Sequence, residues 1–342
     1  MAVAVVILHH SVTLIVGSKG ALHGLCILFQ EELCRLAVPC FFLVSGYLFF
    51  SRLEKWNWDV WKGKIKSRLG SLLLPYLIWN VIAFLVYWGY AAMFGEPAAF
   101  ADQWAKYGGP KMFWSVEGGI PLGVKAYPID GPLWFIRDLM VYTLLTPAVY
   151  LFLKLARYWG LAAVVLVHLL VQGLVPEGFV FFLAGACLMM EGQDIEKFFR
   201  PARKWLYASF LVLLALVFLL NDRSLYWTRF FKVFLLFTGI GSAFCLSGSL
   251  LESGKAKVRP FLVRSSFFIF ALHDIVLPRE YATRMLSAVY PFSGTAWKCI
   301  EFFLTPALTV CLCLGILYLL EHLLPGLAGL LTGNRQKRKV QI

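Results

Sequence analysis

Charged residues are scarce in this sequence. They make up 15% of its 342 residues, whereas a soluble domain carries about 25%. Hydrophobic residues make up 60%, and the mean hydropathy is +0.74. Too few polar side chains remain to cover a soluble core, which excludes an ordinary globular protein. The 30 Phe, 14 Tyr and 12 Trp are typical of a multi-pass membrane protein with aromatic belts at both interfaces.

Several other features are absent. The eight cysteines show no Cys-x-x-Cys spacing and no neighbouring histidine pattern, so the sequence predicts no metal site. There is no repeat, no low-complexity tract and no polar segment long enough for a second domain. We therefore expect residues 1–342 to form a single transmembrane domain. We also expect the formal net charge of +13 to mark membrane topology and no nucleic-acid partner.

Apolar runs of roughly 20 residues cross a hydrocarbon layer of ~30 Å. Ten such runs predict an all-α integral membrane protein with about ten transmembrane helices, at residues 1–17, 36–51, 71–93, 133–153, 159–175, 178–190, 205–220, 230–251, 262–278 and 298–324. An outer connection at about 94–132 is rich in Gly, Pro and aromatic residues, which favours a functional loop that could hold a sugar ring or an interfacial anchor. Residues 333–342 form a basic tail.

The positions of the basic residues test this count, because Lys and Arg concentrate in short cytoplasmic loops. With both termini inside, 20 of the 32 basic residues lie on the inner side and 11 on the outer side. Nine acidic residues lie in outer segments and six in inner ones. The charges therefore favour an even number of spans with both termini cytoplasmic. We expect the protein in the inner (cytoplasmic) membrane of the cell.

Ionisable residues inside spans are expensive and mark either function or pairing between helices. The predicted spans contain few of them, namely His9, His10, Arg137, Asp138, His168, His273, Asp274 and Glu301. Adjacent residues on a helix point about 100° apart, so His9 and His10 cannot both face the same interior. His168 has no polar neighbours in the sequence and is predicted to be structural.

Four segments in order resemble one family. They are residues 34–50 (CRLAVPCFFLVSGYLFF), 64–80 (KIKSRLGSLLLPYLIWN), 132–139 (PLWFIRDL) and 266–273 (SFFIFALH). Together they resemble the membrane-bound acyltransferase-3 family, the O-acyltransferases of surface carbohydrates, over essentially the whole chain. The resemblance implies an integral-membrane enzyme that transfers an acyl group, commonly acetyl, from cytoplasmic acyl-CoA to a hydroxyl of an envelope carbohydrate. Acyl-CoA is then a co-substrate.

The family pattern also implies site residues. Its first helix carries an Arg and a His separated by ten residues. His10, followed by Ser11, fits that His better than His9 does, and the Arg would lie before Met1. Either this helix is short, or the natural chain starts upstream. At the third helix the family often has two Arg separated by two residues. Arg68 fits the first, but Ser71 occupies the second position, which puts a two-arginine donor clamp in doubt.

The chemistry can also be argued from the residues alone. A base must take the proton of the attacking hydroxyl, and His, with an ordinary pKa of ~6.5, is neutral and basic near pH 7. We predict His10 as this base and His273 as the second candidate, with a structural contact as the alternative for His273. Ser45, Tyr47 or Arg137 could stabilise the oxyanion.

Donor and acceptor are predicted to bind at opposite ends. Lys64, Lys66 and Arg68 lie on the inner side, where they could seat the CoA phosphates, although positive-inside topology alone would also place them there. Trp134 and Arg137 lie at the outer end of the fourth span and could bind the carbohydrate. The alternative for them is an aromatic belt with a local Arg137–Asp138 pair. The pantetheine arm would then pass between helices to bring the thioester to His10.

Two other classes of protein fit the same composition. A transporter or flippase of a glycan or lipid intermediate also has many spans and few internal charges. We find no matched pair of interrupted spans that would indicate such a transporter. A catalytically inactive partner of another envelope enzyme is the third interpretation. We expect acyl-CoA, a carbohydrate acceptor and the lipid bilayer as partners.

Overall fold

A computed structural model describes residues 24, 28–51, 56–93, 104–105, 109–115, 127–171, 173–220, 226–275 and 295–333. These residues are almost entirely helical and contain no β-strand, which confirms the all-α fold class. The first predicted span, with His9 and His10, lies outside the described residues, as does the tail after Gly333. The number of spans and the location of both termini stay predictions.

Twelve α-helices are numbered here in chain order. They are α1 (Ala37–Phe50), α2 (Trp58–Arg68), α3 (Leu74–Met93), α4 (Trp134–Leu144), α5 (Thr146–Leu170), α6 (Glu177–Met190), α7 (Ile195–Phe199), α8 (Arg203–Leu220), α9 (Tyr226–Glu252), α10 (Pro260–Leu272), α11 (Thr295–Leu323) and α12 (Pro325–Leu331). Short 3-10 or π-helical turns lead into several of them.

Among the described residues, five helical stretches are long and apolar enough to cross a membrane: Trp58–Met93, Thr146–Leu170, Ile195–Leu220, Phe230–Glu252 and Phe302–Leu323. Three shorter apolar helices, Cys34–Phe50, Glu177–Met190 and Pro260–Leu272, coincide with further predicted spans. The apolar pattern therefore located these helices well, because long lipid-facing runs leave a clear signal in the sequence.

Two boundaries differ from the expected ones. The basic segment before the third span is itself helical, and α2 continues through a π-helical turn, Leu69–Leu73, into α3. The fourth and fifth predicted spans are joined in α5, where only Arg157 leaves helical geometry, with φ 49° and ψ −136°. The break falls at the position where the charges predicted an inner turn.

The chain forms two compact units. Unit 1 contains the described parts of Trp61–Val141 and Pro260–Ile342, and unit 2 contains those of Gly24–Val60 and Tyr142–Arg259. Neither is continuous in sequence. Each unit is assembled from distant segments that are equally apolar, and the single transmembrane domain stays a prediction.

Unit 2 is built around the crossing of α1 and α6. A Cβ added at Gly46 would lie 2.0 Å from the carbonyl oxygen of Phe182, and one at Gly185 would lie 1.9 Å from that of Leu43. The two backbones therefore touch where glycine removes the side chain. This contact gives a structural reason for the glycine of the Ser-Gly-Tyr segment.

Unit 1 is held together by contacts between α3, α10, α11 and α12. The Nε1 of Trp79 donates to the carbonyl oxygen of Leu331 at 3.1 Å, and its ring lies 5.4 Å from the ring of Phe268. Arg264 donates to both carboxylate oxygens of Glu321 at 2.9 Å. These contacts fix α3 and α10, which carry the polar residues described below.

Ion pairs in unit 2 agree with the predicted alternation of sides. Each pair joins two segments that the charge pattern places on the same side: Arg35–Glu177 and Lys232–Glu32 outside, Arg157–Glu191 and Arg200–Glu252 inside. The C-terminal ends of α1 and α6 and the first half of α5 also surround a cavity of about 520 Å³, lined by residues that include Tyr150, Lys154 and Arg157. These ion pairs are those that the predicted topology requires, and the topology itself stays a prediction.

Candidate functional site

The candidate functional site is a cluster of buried polar side chains in unit 1, where the outer connection enters α4. Asp130 precedes a 3-10 turn, Gly131–Leu133, that runs directly into α4. Pro132 suits this turn, because its φ is already helical and its missing N–H would have had no intrahelical partner. Arg137 and Asp138 follow at the start of α4, and both are fully buried.

Arg137 and Asp138 form an ion pair. The Nε and Nη2 of Arg137 donate to Oδ1 of Asp138 at 2.9 and 2.7 Å, and its Nη1 donates to the carbonyl oxygen of Trp114 at 2.8 Å. The guanidinium also lies 5.4 Å from the centre of the Trp114 ring. The local pair named as an alternative is thus present. An oxyanion role for Arg137 stays a prediction.

Asp130 lies beside this pair without belonging to it. It is 1% exposed, and its backbone N–H donates to Oδ1 of Asn80 at 3.2 Å, while Nδ2 of Asn80 donates to the carbonyl oxygen of Tyr76 at 2.8 Å. Neither carboxylate oxygen of Asp130 has a hydrogen-bond partner among the described residues. Burial raises the pKa of Asp130 well above its ordinary value of 3.8, and the nearby Asp274 carboxyl adds to the rise.

Tyr76 lies at the centre of the cluster. Its hydroxyl donates to the carbonyl oxygen of Phe113, and it interacts electrostatically with Arg137, Asp130 and Asp138. Tyr76 follows Pro75 in residues 64–80, one of the four segments that resemble the family. Its position shows that this motif lies in the same buried polar cluster as Arg137.

His273 follows α10 and is 2% exposed. Its Nδ1 lies 2.7 Å from the carbonyl oxygen of Phe270 and 3.2 Å from that of Ile269. Since a carbonyl only accepts, we assign the proton of the neutral ring to Nδ1, which leaves the lone pair on Nε2. The ring of Phe270 lies 5.9 Å from that of Phe135 in α4.

The residue after His273 contacts the start of the α4 segment. A Cβ added at Gly131 would lie 3.0 Å from Oδ2 of Asp274. The end of α10 therefore lies against Asp130 and Gly131. The structure places Trp134 and Arg137, from residues 132–139, in the same unit as His273, from residues 266–273, and Trp134 is half-buried.

The described residues of the 94–132 connection lie along α3 and in the cluster. The ring of Trp104 lies 4.7 Å from that of Phe84, and the backbone N–H of Ile129 donates to the carbonyl oxygen of Met112 at 3.0 Å. Tyr76, which contacts Phe113, precedes the end of α3 at Met93 by 17 residues, about 25 Å along a helix. With α3 across the membrane as the sequence predicts, irregular backbone would lie at that depth, where it is tolerated if protein covers it.

The three candidate donor residues lie on α2. Lys66 is exposed, and Lys64 and Arg68 are half-buried, on a helix without a fully buried residue. Arg68 precedes Tyr76 by eight residues on one continuous helical stretch, or about 12 Å. The basic residues therefore start little more than two turns from the buried cluster.

Ser45 and Tyr47 lie in unit 2, on either side of Gly46 in α1, and both are half-buried. Tyr47 interacts electrostatically with Asp194, which caps α7 through the backbone N–H of Lys197. Their oxyanion role stays a prediction. His168, predicted to be structural, is buried with Nδ1 2.8 Å from the carbonyl oxygen of Val175.

Sequence reasoning missed Asp130, Asn80 and Trp114 as site residues. Asp130 looked like an ordinary loop acid, and Asn80 like a polar interruption of an apolar span. One signal was available in the sequence. Asp130 stands between Pro128 and Pro132, where proline restricts the backbone, directly before the family-like segment 132–139. Within the described residues, no group of three or more His, Cys, Asp or Glu could hold a metal ion.

A family model described as an acyltransferase domain matches residues 1–322. The chain belongs to this acyltransferase family, which confirms the resemblance found in the four segments. With its apolar helices, the protein is a multi-pass membrane acyltransferase.

A curated relative extends this result. The chain is 26% identical over 343 residues to the succinoglycan biosynthesis protein ExoH of Rhizobium meliloti, an alignment that covers 94% of this chain and 85% of the relative. No solved structure shows significant similarity to the chain.

Proposed function

We propose that this protein transfers an acetyl group from cytoplasmic acetyl-CoA to a hydroxyl of an envelope or lipid-linked carbohydrate, and that it works in the inner membrane. The observation that carries the proposal is the fully buried cluster of Arg137, Asp138 and Asp130 in a chain of an acyltransferase family. Buried charges within an apolar membrane protein are costly, and they are kept where chemistry or binding needs them.

The choice of a carbohydrate acceptor is supported by the relative. Its name assigns it to succinoglycan biosynthesis, and we extend a polysaccharide acceptor to this chain. Aromatic side chains around the cluster fit this choice, since Trp104, Phe113 and Trp114 offer apolar ring faces next to polar groups. Aromatic rings beside hydrogen-bonding groups suit the alternating apolar and polar faces of a sugar.

In the proposed reaction, the acceptor hydroxyl attacks the thioester carbonyl carbon. The new C–O bond forms as the hydroxyl proton passes to a neutral imidazole, the C–S bond breaks, and the thiolate of CoA leaves and takes up that proton. We propose His10 as the base. His273 is the second candidate, because its Nδ1 contacts carbonyl oxygens and Nε2 therefore holds the lone pair.

The donor is proposed to bind through its phosphates at Lys64, Lys66 and Arg68. From there the thioester has to travel only along the first turns of α3 to reach the level of Tyr76, about 12 Å from Arg68 along the helix. The pantetheine arm of CoA is long enough for such a distance. Ser45, Tyr47 or Arg137 is proposed as the donor to the oxyanion. In that role Arg137 would have to share the hydrogen bonds that it makes with Asp138 and with the carbonyl oxygen of Trp114.

The proposal is tested with the purified protein in lipid nanodiscs, radiolabelled acetyl-CoA, and surface polysaccharide of the producing cell stripped of its esters by mild base. We expect release of CoA, label in the saccharide, and loss of both in His10→Ala. His322→Ala is the matched control, because His322 is exposed and contacts the carbonyl oxygen of Tyr318 in its own helix.

Two results would count against the proposal. Full transfer by His10→Ala would remove His10 from catalysis and leave His273→Ala as the next variant. No transfer by the wild-type protein with any acyl-CoA would contradict the enzyme and favour a transporter or an inactive partner.

A further inference from the structure

Asp130 has a buried carboxyl group that the fold itself does not use. Its two oxygens are buried without a hydrogen-bond partner among the described residues, although its backbone N–H is bonded to Asn80. Nearly all buried polar atoms in native proteins have a partner, so one that lacks it calls for an explanation. A ligand that completes the hydrogen bonds is such an explanation.

The neighbouring cation does not neutralise Asp130. Arg137 directs its Nε and Nη2 to Asp138 and its Nη1 to the carbonyl oxygen of Trp114. Asp274, which raises the pKa of Asp130, is an acid as well. Among the described residues, no ion pair therefore accounts for a carboxyl group in this place.

A second buried atom without a partner lies in the same cluster, and it is a hydrogen-bond donor, whereas the carboxyl oxygens of Asp130 are acceptors. It is the Nε1 of Trp114, which lacks a hydrogen-bond partner within the described part of the chain. The segments that carry the two residues touch, since the N–H of Ile129 donates to Met112 and the carbonyl oxygen of Trp114 accepts from Arg137. One acceptor group and one donor group thus remain in a shared buried region.

A hydroxyl group matches this combination, because it donates one hydrogen bond and accepts others. We propose that Asp130 and Trp114 form the binding site for the hydroxyl groups of a saccharide acceptor, with the carboxyl accepting and the indole N–H donating. This inference rests on the proposed function, which supplies the saccharide.

Asn80 is a positioning residue in this site. Its Oδ1 accepts the backbone N–H of Asp130, and its Nδ2 is bonded to the carbonyl of Tyr76. These two bonds fix the Asp130 backbone against α3, so the carboxyl keeps its place before any ligand arrives.

The test measures the KM for de-esterified polysaccharide fragments and the KM for acetyl-CoA in Asp130→Asn and Trp114→Phe. Asp130→Asn keeps the shape of the side chain and replaces one carboxyl oxygen by an amide group, which removes an acceptor. We expect it to raise the acceptor KM about tenfold, as the loss of a buried hydrogen bond does. Trp114→Phe keeps an aromatic ring and removes the donor, so a smaller rise is expected. The KM for acetyl-CoA should stay unchanged in both variants.

Asp59→Asn is the control, since Asp59 is an exposed aspartate at the start of α2. A purely structural role for Asp130 makes a different prediction. Removing a buried carboxyl that burial penalises would then raise the thermal unfolding temperature of Asp130→Asn and leave the acceptor KM unchanged. That result, or a change confined to the KM for acetyl-CoA, overturns the proposed site.

A direct binding assay separates this inference from the proposed function. The same fragments are titrated into wild type and Asp130→Asn without acyl-CoA, and binding is measured by calorimetry. Weaker binding to the variant supports the site even if the wild type transfers no acetyl group. Equal binding, or none to either protein, overturns the site even if the wild type is an active acetyltransferase.

Discussion

The two units of this protein bury different kinds of side chain. Unit 1 encloses an arginine and two aspartates completely, at Arg137, Asp138 and Asp130. In unit 2 two glycines let helix backbones touch, and the ion pairs of its described residues keep at least one partly exposed partner each. Glu32 is the one buried Asp, Glu, Lys or Arg among the described residues of unit 2, and it is paired with Lys232. Buried charges are thus concentrated in unit 1.

The difference separates two uses of charge in a membrane protein. Charges at helix ends are accessible to water, so screening weakens their interactions and they add little to stability. Their main effect is on the orientation of the helices in the membrane. Charges within an apolar unit are kept only with partners or for function. The comparison therefore directs the search for chemistry to unit 1.

The largest effect is expected from breaking the internal pair. Arg137→Met would leave the buried carboxylate of Asp138 without its cation, and the loss of one partner of a buried pair costs about 3–5 kcal/mol. The double variant Arg137→Met/Asp138→Leu should recover much of this stability and still lack transferase activity. Thermal unfolding in detergent and the acetyl transfer assay measure the two properties separately. If Arg137→Met unfolded at the same temperature as the wild type, the internal pair would contribute no more to stability than a surface pair does.

The second effect concerns the helix crossing of unit 2. Gly185→Ala would place a methyl carbon 1.9 Å from the carbonyl oxygen of Leu43. The helices would have to separate, and overpacking of this kind costs about 1–3 kcal/mol. Gly315→Ala is the matched control, because a Cβ there meets nothing within 4 Å, and alanine favours helix by up to ~1 kcal/mol. Equal unfolding temperatures for the two variants would show that α1 and α6 can move apart without loss of stability.

The smallest effect is expected at an ion pair on the periphery. Arg157 is bonded to Glu191, and its side chain is 66% exposed. Arg157→Gly removes the pair but relieves a backbone conformation, φ 49°, that glycine adopts easily. At neutral pH these two changes oppose each other, so the unfolding temperature should move less than in the variants above.

The pH dependence of Arg157→Gly sharpens this last test. Arg157 lowers the pKa of Glu191 below its ordinary value of 4.5. The pair therefore stabilises the fold fully above pH 4.5, and its contribution is lost as the pH falls through the lowered pKa. At acid pH only the backbone relief remains, and Arg157→Gly should then unfold at a higher temperature than the wild type. An equal difference between the two proteins at both pH values would contradict a role for the pair.

The features that could be predicted from the sequence are those with a local signal. Runs of apolar residues located the helices, and ion pairs of unit 2 join segments that the distribution of Lys and Arg predicts on the same side. The motif segments indicated the family and singled out Arg137, Trp134 and His273, which the structure places in one unit.

The features that escaped prediction depend on contacts between distant residues. Asn80 and Asp130 are 50 positions apart, and nothing near either residue indicates that a side chain of one holds the backbone of the other. The division into two units escaped for the same reason. The roles of His10, Ser45, Tyr47, Lys64, Lys66 and Arg68 stay predictions.

The contact between Tyr76 and the carbonyl oxygen of Phe113 has a consequence for the membrane itself. A hydrocarbon layer of ~30 Å separates water on its two sides, and with α3 across it as the sequence predicts, polar backbone would reach the level of Tyr76, a short helical distance from the basic residues of α2. The insulating thickness would then be reduced locally. Two water-soluble reactants, one from each compartment, would then have to cross only the remaining part of that layer to meet.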